Sequence, residues 1–206
     1  MIYLYTGTPG SGKSLHVADR ILGSMRYHSD PVICNFPCNF DKYKKLKGQF
    51  IYLDNMDLTP GALVSFSKAY SEHVGRPLRE GEILLIVDEC QVLYNARDFG
   101  RKDMLEWVKF YSQHRKLGYE VILVAQFDRM IDRQIRSLVE YQWIHRKLKN
   151  AGWWCKLVAF LFGGKLFVSV KVWYPMKQKV GSEFFFYNRK KGGIYDTFAL
   201  FDLSKG

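Results

Sequence analysis

Eight consecutive residues, Gly7-Thr8-Pro9-Gly10-Ser11-Gly12-Lys13-Ser14, satisfy the phosphate-binding pattern G-x-x-x-x-G-K-[ST] at every fixed position. The residue types suit a triphosphate. Glycine reaches backbone conformations closed to other residues and lets main-chain N–H groups approach an anion with no Cβ between them. Lys13 would carry a point charge to the β- and γ-phosphates, and the Ser14 hydroxyl is a ligand for Mg²⁺. The plain alternative is a glycine-rich turn that merely caps a helix, but both flanks are those of a nucleotide site. Ile2 to Thr6 is a short β-prone run, and Leu15, Ala18, Ile21, Leu22 and Met25 follow at helical spacing. Strand, turn and helix thus come in the order that aims a helix N-terminus at phosphate.

A phosphate loop says nucleotide binding and leaves the reaction open. Ile83 to Val87 is a continuous apolar run that ends in Asp88 and Glu89. Such a run reads as a buried parallel strand, at whose carboxyl end ligands bind in open α/β sheets. Asp88 there is the expected Mg²⁺ partner, and Glu89 the expected base for an attacking water. An acid in the second position favours hydrolysis over transfer to an acceptor. Tyr119 to Ala125 is another apolar run and ends in Gln126. In phosphate-loop hydrolases with an extra strand beside the loop strand, a polar side chain at that place touches the γ-phosphate or orients the water.

The elements that must position these groups follow in order. Pro31 to Asn35 and Phe50 to Leu53 read as short strands. Thr59-Pro60 opens a helix with Leu63, Phe66 and Tyr70 on its buried side. Asp103 with Glu106 resembles a capping box ahead of Met104, Trp107, Val108 and Tyr111, and Gly118 stops that helix after His114-Arg115-Lys116. Ile131, Ile135 and Leu138 predict one apolar helical stripe, with Arg129, Arg133 and Arg136 on another face. From Tyr141 the pattern turns to strands: Tyr141 to Leu148, an alternating Leu166, Val168, Val170 and Val172 after a Gly163-Gly164 turn, and Glu183 to Tyr187. The expected division is a core over 1–148 and a basic, aromatic, β-rich extension over 149–206. The sequence leaves open whether that extension is an edge of the sheet or a docking platform.

Among 206 residues, Lys and Arg number 31 against 20 Asp and Glu, a net charge of +11. A balance this basic points to a polyanionic neighbour, nucleic acid or an anionic membrane surface. The Lys42, Lys44, Lys45 and Lys47 cluster around Tyr43 reads as a solvated loop or as a phosphate-backbone contact. Cys34 and Cys38 are spaced C-x₃-C with no second pair at zinc-ligand spacing, so all four cysteines read as reduced thiols. No signal peptide precedes the first strand, and Leu157 to Phe162 falls well short of a bilayer span. The chain is expected to be soluble.

Taken together, G-T-P-G-S-G-K-S at 7–14, I-V-D-E at 86–89, H-R-K-L-G-Y-E-V-I-L-V-A-Q at 114–126 and D-R-x-I-R-S-L-V-E at 132–140 resemble the zonular occludens toxin family. Tyr195-Asp196-Thr197 resembles the end of that family's cytoplasmic domain. The resemblance implies an α/β P-loop NTPase of RecA/ASCE type, a mostly parallel sheet flanked by helices, with ATP and Mg²⁺ as its ligands. Its phage members are inner-membrane ATPases of filamentous phage assembly that extrude single-stranded DNA through an outer-membrane channel, exchanging its single-strand-binding protein for coat protein. Carried over, Gly7 to Ser14 are the phosphate loop, Ser14 and Asp88 the metal ligands, Glu89 the base and Gln126 the γ-phosphate sensor. Members usually continue into a transmembrane helix and a periplasmic segment, so the expectation is a cytoplasmic domain cut before the membrane span, or a shortened natural product. The expectation is therefore a domain at the cytoplasmic face of the host inner membrane that forms a ring. Arg97, Arg101, Arg115 and Arg136 all remain candidates for an arginine finger.

Three rivals stand beside the ATPase. A small-molecule kinase is disfavoured by Glu89 and by the lack of an arginine-rich lid, and a GTPase by the lack of N-K-x-D. A nucleotide-gated scaffold that docks coated DNA or coat protein with little turnover stays open.

Overall fold

The computed structural model describes residues 1–27, 30–97, 103–147, 166–187 and 189–194. Strands β1 (Ile2–Thr6), β2 (Val32–Cys34), β3 (Phe50–Tyr52), β4 (Ile83–Val87), β5 (Tyr119–Ala125), β6 (Tyr141–Lys147), β7 (Leu166–Trp173) and β8 (Gln178–Phe186) form one sheet. Their order is β3-β2-β4-β5-β1-β6-β7-β8. Neighbours from β3 to β6 pair in parallel, and β7 and β8 add antiparallel pairs at one side. Strand β5 lies between β1 and β4, the extra strand that the Gln126 argument required.

The apolar runs of the central strands follow from cover on both faces. In β4, Ile83, Leu85 and Val87 enter one core while Leu84 and Ile86 enter the other. Alternate residues of β5 divide the same way. Helix α1 (Lys13–Tyr27) covers one face through Val17, Ile21 and Met25. Helices α2 (Pro60–Val74), α3 (Met104–Gln113) and α4 (Arg133–Ser137) cover the other, where Leu63, Trp107, Tyr111 and Ile135 meet β1, β4 and β5. A last short helix, α5 (Arg189–Gly192), sits against α1. Among the described residues no helix is long and apolar enough to cross a membrane.

Local rules decide where the helices start. Thr59 is extended and its Oγ1 accepts from the Ala62 amide at 3.2 Å, as expected of a cap before Pro60. Asp132 is also non-helical and accepts from the Gln134 and Ile135 amides. Asp103 departs from expectation: its backbone is already helical (ψ −11°) and its side chain makes no cap bond, so no capping box forms with Glu106. The expected single stripe over 131–138 is likewise broken. Ile131 is extended, bridges Asn95 and is buried there, and a 3₁₀ turn, Asp128–Met130, precedes it. Helix α4 is only five residues long, so Arg129 does not share a helical face with Arg133 and Arg136. Helix α3 ends at Gln113, and His114 to Gly118 form the turn into β5.

The basic, aromatic extension is an edge of the sheet: β7 pairs with β6, and β8 runs longer than expected, from Gln178. The Gly163-Gly164 turn, Arg101, Cys155 and Tyr195-Asp196-Thr197 lie outside the described residues.

One glycine fixes how β4 and β5 begin. Gly118 has φ 79°, and its carbonyl accepts from the Gly81 and Ile83 amides at 3.1 and 2.9 Å. A Cβ there would lie 2.7 Å from the Leu78 Cβ. Gly118→Ala combines left-handed strain with overpacking and is expected to cost about 2–4 kcal/mol, read as a lowered urea midpoint. An unchanged midpoint would refute this account of the turn.

Candidate functional site

Register brings the chemical groups to one edge. Thr6 of β1 stands opposite Ala125 of β5 and Ile144 of β6, and Val87 of β4 stands opposite Leu123. Gly7, Gln126 and Asp88 therefore each follow directly on the carboxyl end of a strand, and His145, still within β6, stands beside Gly7. The Gly7 amide donates to the Gln126 carbonyl at 3.2 Å, tying the phosphate loop to the end of β5.

Within the loop, Gly10 (φ 70°) and Gly12 (φ 97°) hold conformations that favour glycine. Gly12 needs the missing Cβ for a second reason: such an atom would lie 2.8 Å from Phe167 and 3.1 Å from Phe185. Lys13 Nζ donates to the Gly7 carbonyl at 2.6 Å and to that of Thr8 at 3.4 Å, so its ammonium stays folded over the loop. Burial lowers its pKa, against the charges of Asp88 and Glu89. The Ser11 hydroxyl is buried with no hydrogen-bond partner. An unsatisfied buried hydroxyl in a loop that also holds an ammonium fits an anion cradle better than a plain turn.

Asp88 and Glu89 stand at the end of β4. Burial pushes Asp88 from its ordinary 3.8 up to about 6; Glu89's charge adds to this, while Lys13 and a backbone hydrogen bond oppose it. Asn35, at the end of β2, holds this turn: its Nδ2 donates to the Asp88 carbonyl at 2.9 Å and its Oδ1 accepts from the Asp88 amide at 2.7 Å. Its Nδ2 also donates to Asn55 Oδ1 at 2.8 Å. Glu89 has φ 45°, a left-handed conformation that costs a non-glycine residue about 1–2 kcal/mol. The Gln91 side chain donates to its carboxylate. A buried, undercompensated carboxylate beside a hydroxyl-bearing loop is a donor set that suits a hard divalent cation. Asp88 and Ser14 would hold it.

Beneath the loop lies a buried relay that spacing alone does not reveal. His145 Nδ1 sits 3.1 Å from both the Thr6 and Trp143 carbonyls, so it carries the proton and donates. Its Nε2 then accepts from His16 Nδ1 at 2.9 Å, and His16 Nε2 faces the Tyr5 hydroxyl at 3.5 Å. Burial keeps both rings neutral, with His16 lowered to about 4 and His145 to about 3. Phe185 lies 5.5 Å from the His16 ring and stacks on Phe167 at 5.6 Å. The β7–β8 hairpin thus reaches the underside of the phosphate loop. Lys147, the last residue of β6, reaches the loop's tip, with its Nζ 3.2 Å from where a Gly10 Cβ would be.

A cavity of about 440 Å³ borders the loop at Gly7 and Thr8 and is also lined by Gln126, Gln142, His145, Arg146 and Lys147. Of the sequence-predicted groups this cavity gathers Gly7, Thr8 and Gln126, with Arg146 and Lys147 added, while Lys13, Ser14, Asp88 and Glu89 are not among its lining residues. The finger candidates do not gather here. Arg115 pairs with Glu140 and with Glu80, 3.3 Å away, at the opposite, amino edge of the sheet. Arg97 and Arg136 flank loops beyond Gln126.

Comparison with known proteins gives a consistent picture. The Zonular occludens toxin (Zot) family profile matches residues 1–160. The Gene 1 protein of Enterobacteria phage fd is 26% identical over 143 residues, 66% of this chain and 39% of that protein. The Gene 1 protein of Enterobacteria phage I2-2 is 27% identical over 175 residues, 80% of this chain and 46% of that protein. The chain therefore spans less than half the length of these relatives. Among solved structures, the N-terminal domain of zonular occludens toxin from Neisseria meningitidis aligns with 95% of this chain and 98% of its own, at 19% identity and TM-score 0.55. The genome packaging NTPase B204 of Sulfolobus turreted icosahedral virus 2, in complex with ATP-gammaS, aligns with 89% of this chain and 95% of its own, at 14% identity and TM-score 0.55. The shared fold is that of P-loop NTPases.

The site sets a pH dependence. Asp88 has a raised folded pKa, so the folded chain binds the extra proton between pH 4 and 6, and ionised Asp88 costs stability above that range. The histidines have depressed folded pKa values, so the unfolded chain binds the extra protons below about pH 6.5 and stability falls on acidification. Two histidines outweigh one aspartate: the wild type is expected to lose about 2–3 kcal/mol between pH 7 and 5. Asp88→Asn is expected to gain about 1–3 kcal/mol at pH 7 and to lose stability more steeply on acidification. Urea unfolding at both pH values tests this, and a destabilised Asp88→Asn at pH 7 would contradict it.

Proposed function

The chain belongs to the zonular occludens toxin (Zot) family, and from that premise we propose that it is a Mg²⁺-dependent ATP hydrolase whose turnover drives filamentous phage assembly and export. One observation carries the enzymatic part: the phosphate loop, Gln126 and the Asp88-Glu89 pair end neighbouring strands at one edge of the sheet, in the order β1, β5, β4. That order leaves one strand's width between loop and acids, which a γ-phosphate and its attacking water would occupy.

Each residue then has a task. The loop amides and Lys13 grip the triphosphate, Nζ exchanging the Gly7 and Thr8 carbonyls for phosphate oxygens. Ser14 and Asp88 would hold Mg²⁺, which when bound would offset negative charge on the triphosphate. Glu89 takes the proton of the attacking water, positioned by Gln91 and by its left-handed backbone. Gln126 orients that water or contacts the γ-phosphate. Lys147 adds a second cation at the tip of the loop.

The relatives are Gene 1 proteins of bacteriophages, which supports the assembly role. In this reading the domain works as a homo-oligomeric ring at the cytoplasmic face of the host inner membrane. It extrudes single-stranded phage DNA delivered with single-strand-binding protein, for coat proteins to replace. Transmembrane and periplasmic parts would join it to the membrane and to an outer-membrane channel.

Mg²⁺-dependent ATP hydrolysis against protein concentration tests the reading, with Lys13→Ala as the blank. Turnover per chain is expected to rise with concentration, because a ring completes its sites between neighbours. Glu89→Gln is expected to lower turnover by about 10²–10³-fold while ATP binding stays within about threefold. Unchanged turnover in that variant would remove Glu89 as the base. Binding with no hydrolysis in the wild type would favour a nucleotide-gated scaffold.

A further inference from the structure

Beyond Gln126 the chain leaves the sheet and builds a ridge whose first residues, Phe127 and Asp128, also line the cavity beside the phosphate loop. Phe127 is extended and 56% exposed, and Arg129 and Met130 beside it are exposed. The ridge is braced from below. The Ala96 amide donates to the Met130 carbonyl at 3.0 Å, the Asp132 amide donates to the Tyr94 carbonyl at 2.8 Å, and Asn95 bridges Ile131. An apolar ring and a guanidinium are thus held out to solvent on a fixed support.

Two grooves meet at Arg129. One, of about 650 Å³, runs past Arg97, Asn95 and Phe127. The other, of about 710 Å³, runs past Arg136, Tyr174 and Lys177. Together they carry four cations and one carboxylate, Asp128. That carboxylate is engaged: it accepts from the Tyr174 hydroxyl at 2.9 Å and lies 3.7 Å from Lys177. No carboxylate among the described residues pairs with Arg97, Arg129 or Arg136. The basic balance is not spread evenly. A cavity at the amino edge of the sheet is lined by Asp19, Asp30, Glu80 and Glu120 with Arg20 as its one cation.

Arg136 Nη1 reaches only the Asp128 backbone carbonyl, at 3.4 Å; guanidinium groups without a carboxylate partner in a groove attract a polyanion, and an exposed ring among them offers a stacking face for a base. Duplex DNA hides its base faces, and a lipid surface is flat, whereas these cations line concave grooves. We propose that single-stranded nucleic acid lies along the two grooves that meet at Arg129, with a base stacked on Phe127. The inference rests on the ATPase reading only for its consequence. Phe127 follows Gln126, whose carbonyl holds the Gly7 amide, so a strand on the ridge and a phosphate in the loop would act on adjoining residues.

Binding of a fluorescein-labelled oligothymidylate to the full chain, followed by anisotropy without nucleotide, tests it directly. Phe127→Ala is expected to weaken binding about tenfold. Arg129→Ala and Arg136→Ala are each expected to weaken it and to flatten the log–log salt slope by about one. Lys42→Ala, in the distant lysine loop, is expected to change nothing. All four side chains are at least partly exposed, and circular dichroism checks that the variants fold. Unchanged binding in Phe127→Ala and Arg129→Ala would overturn the proposal, as would a loss seen only in Lys42→Ala. Loss of binding to phosphatidylserine vesicles with oligothymidylate binding intact would overturn it in favour of a membrane contact. Intact DNA binding with collapsed, concentration-dependent turnover in Arg129→Ala would overturn it in favour of an arginine finger. The expected binding pattern in a chain that hydrolyses no ATP would uphold the site and remove only the ATPase reading.

Discussion

Asp88 carries a charge in a place that resists it, and much of the surrounding structure follows from that. Burial at the end of β4 raises its pKa to about 6, while Lys13, the nearest compensating cation, is itself lowered by burial. Neither group satisfies the other, because both are desolvated and Lys13 is held on the loop carbonyls. The surroundings respond by fixing the backbone rather than neutralising the charge. Asn35 closes both sides of the Asp88 peptide, and the Cys90 amide donates to the Val124 carbonyl at 2.9 Å, pinning the turn to β5. A stiff turn keeps a costly carboxylate in place, which is what a metal-binding acid requires.

The same economy of support appears on the other side of the phosphate loop. A glycine-rich loop is entropically expensive to order, and here order comes from what packs beneath it. The His16–His145 pair donates in one direction, ending on the Thr6 carbonyl immediately before Gly7. Gln142 Nε2 donates to the Thr6 hydroxyl at 2.8 Å. Phe167 and Phe185 then fill the space that a side chain at Gly12 would take. The antiparallel β7–β8 hairpin is therefore more than an appended edge: its inner aromatics are part of the floor on which the nucleotide loop rests.

How much of this the sequence revealed depends on whether the signal is local. The strand–loop–helix of 2–27 and the acidic end of β4 are local patterns, and the structure places them as expected. Thr59-Pro60 was likewise readable, because a cap and its amide lie three residues apart. Asp103 and Glu106 show the limit: the residue types fit a capping box, but the backbone of Asp103 itself is already helical. Ile131 misled for a related reason. Its spacing to Ile135 is helical, yet its burial comes from a bridge to Asn95, 36 positions away in sequence, which no periodicity reports. Asn35, His16, His145 and Lys147 were invisible as site residues because each acts through a partner on another strand. A lone buried histidine in a sequence has no direction; only the Thr6 and Trp143 carbonyls give His145 its tautomer.

The placement of Gln126 joins these strands of argument. Its backbone carbonyl holds the first glycine of the loop, its side chain lines the cavity beside Thr8, and its successor is the exposed Phe127. Between them the chain changes from the end of a buried parallel strand to a solvent-facing ridge with no intervening flexible linker. The 3₁₀ turn over 128–130 and the bridge at Ile131 keep that ridge short and braced. A displacement of Phe127 along the ridge axis would have little slack to be absorbed in before it reached the Gly7–Gln126 hydrogen bond. Coupling in the opposite direction meets the same stiffness, since any shift of the loop on gripping phosphate pulls on the Gln126 carbonyl. One hydrogen bond at the edge of the sheet therefore separates the groups suited to phosphate chemistry from those suited to holding a strand.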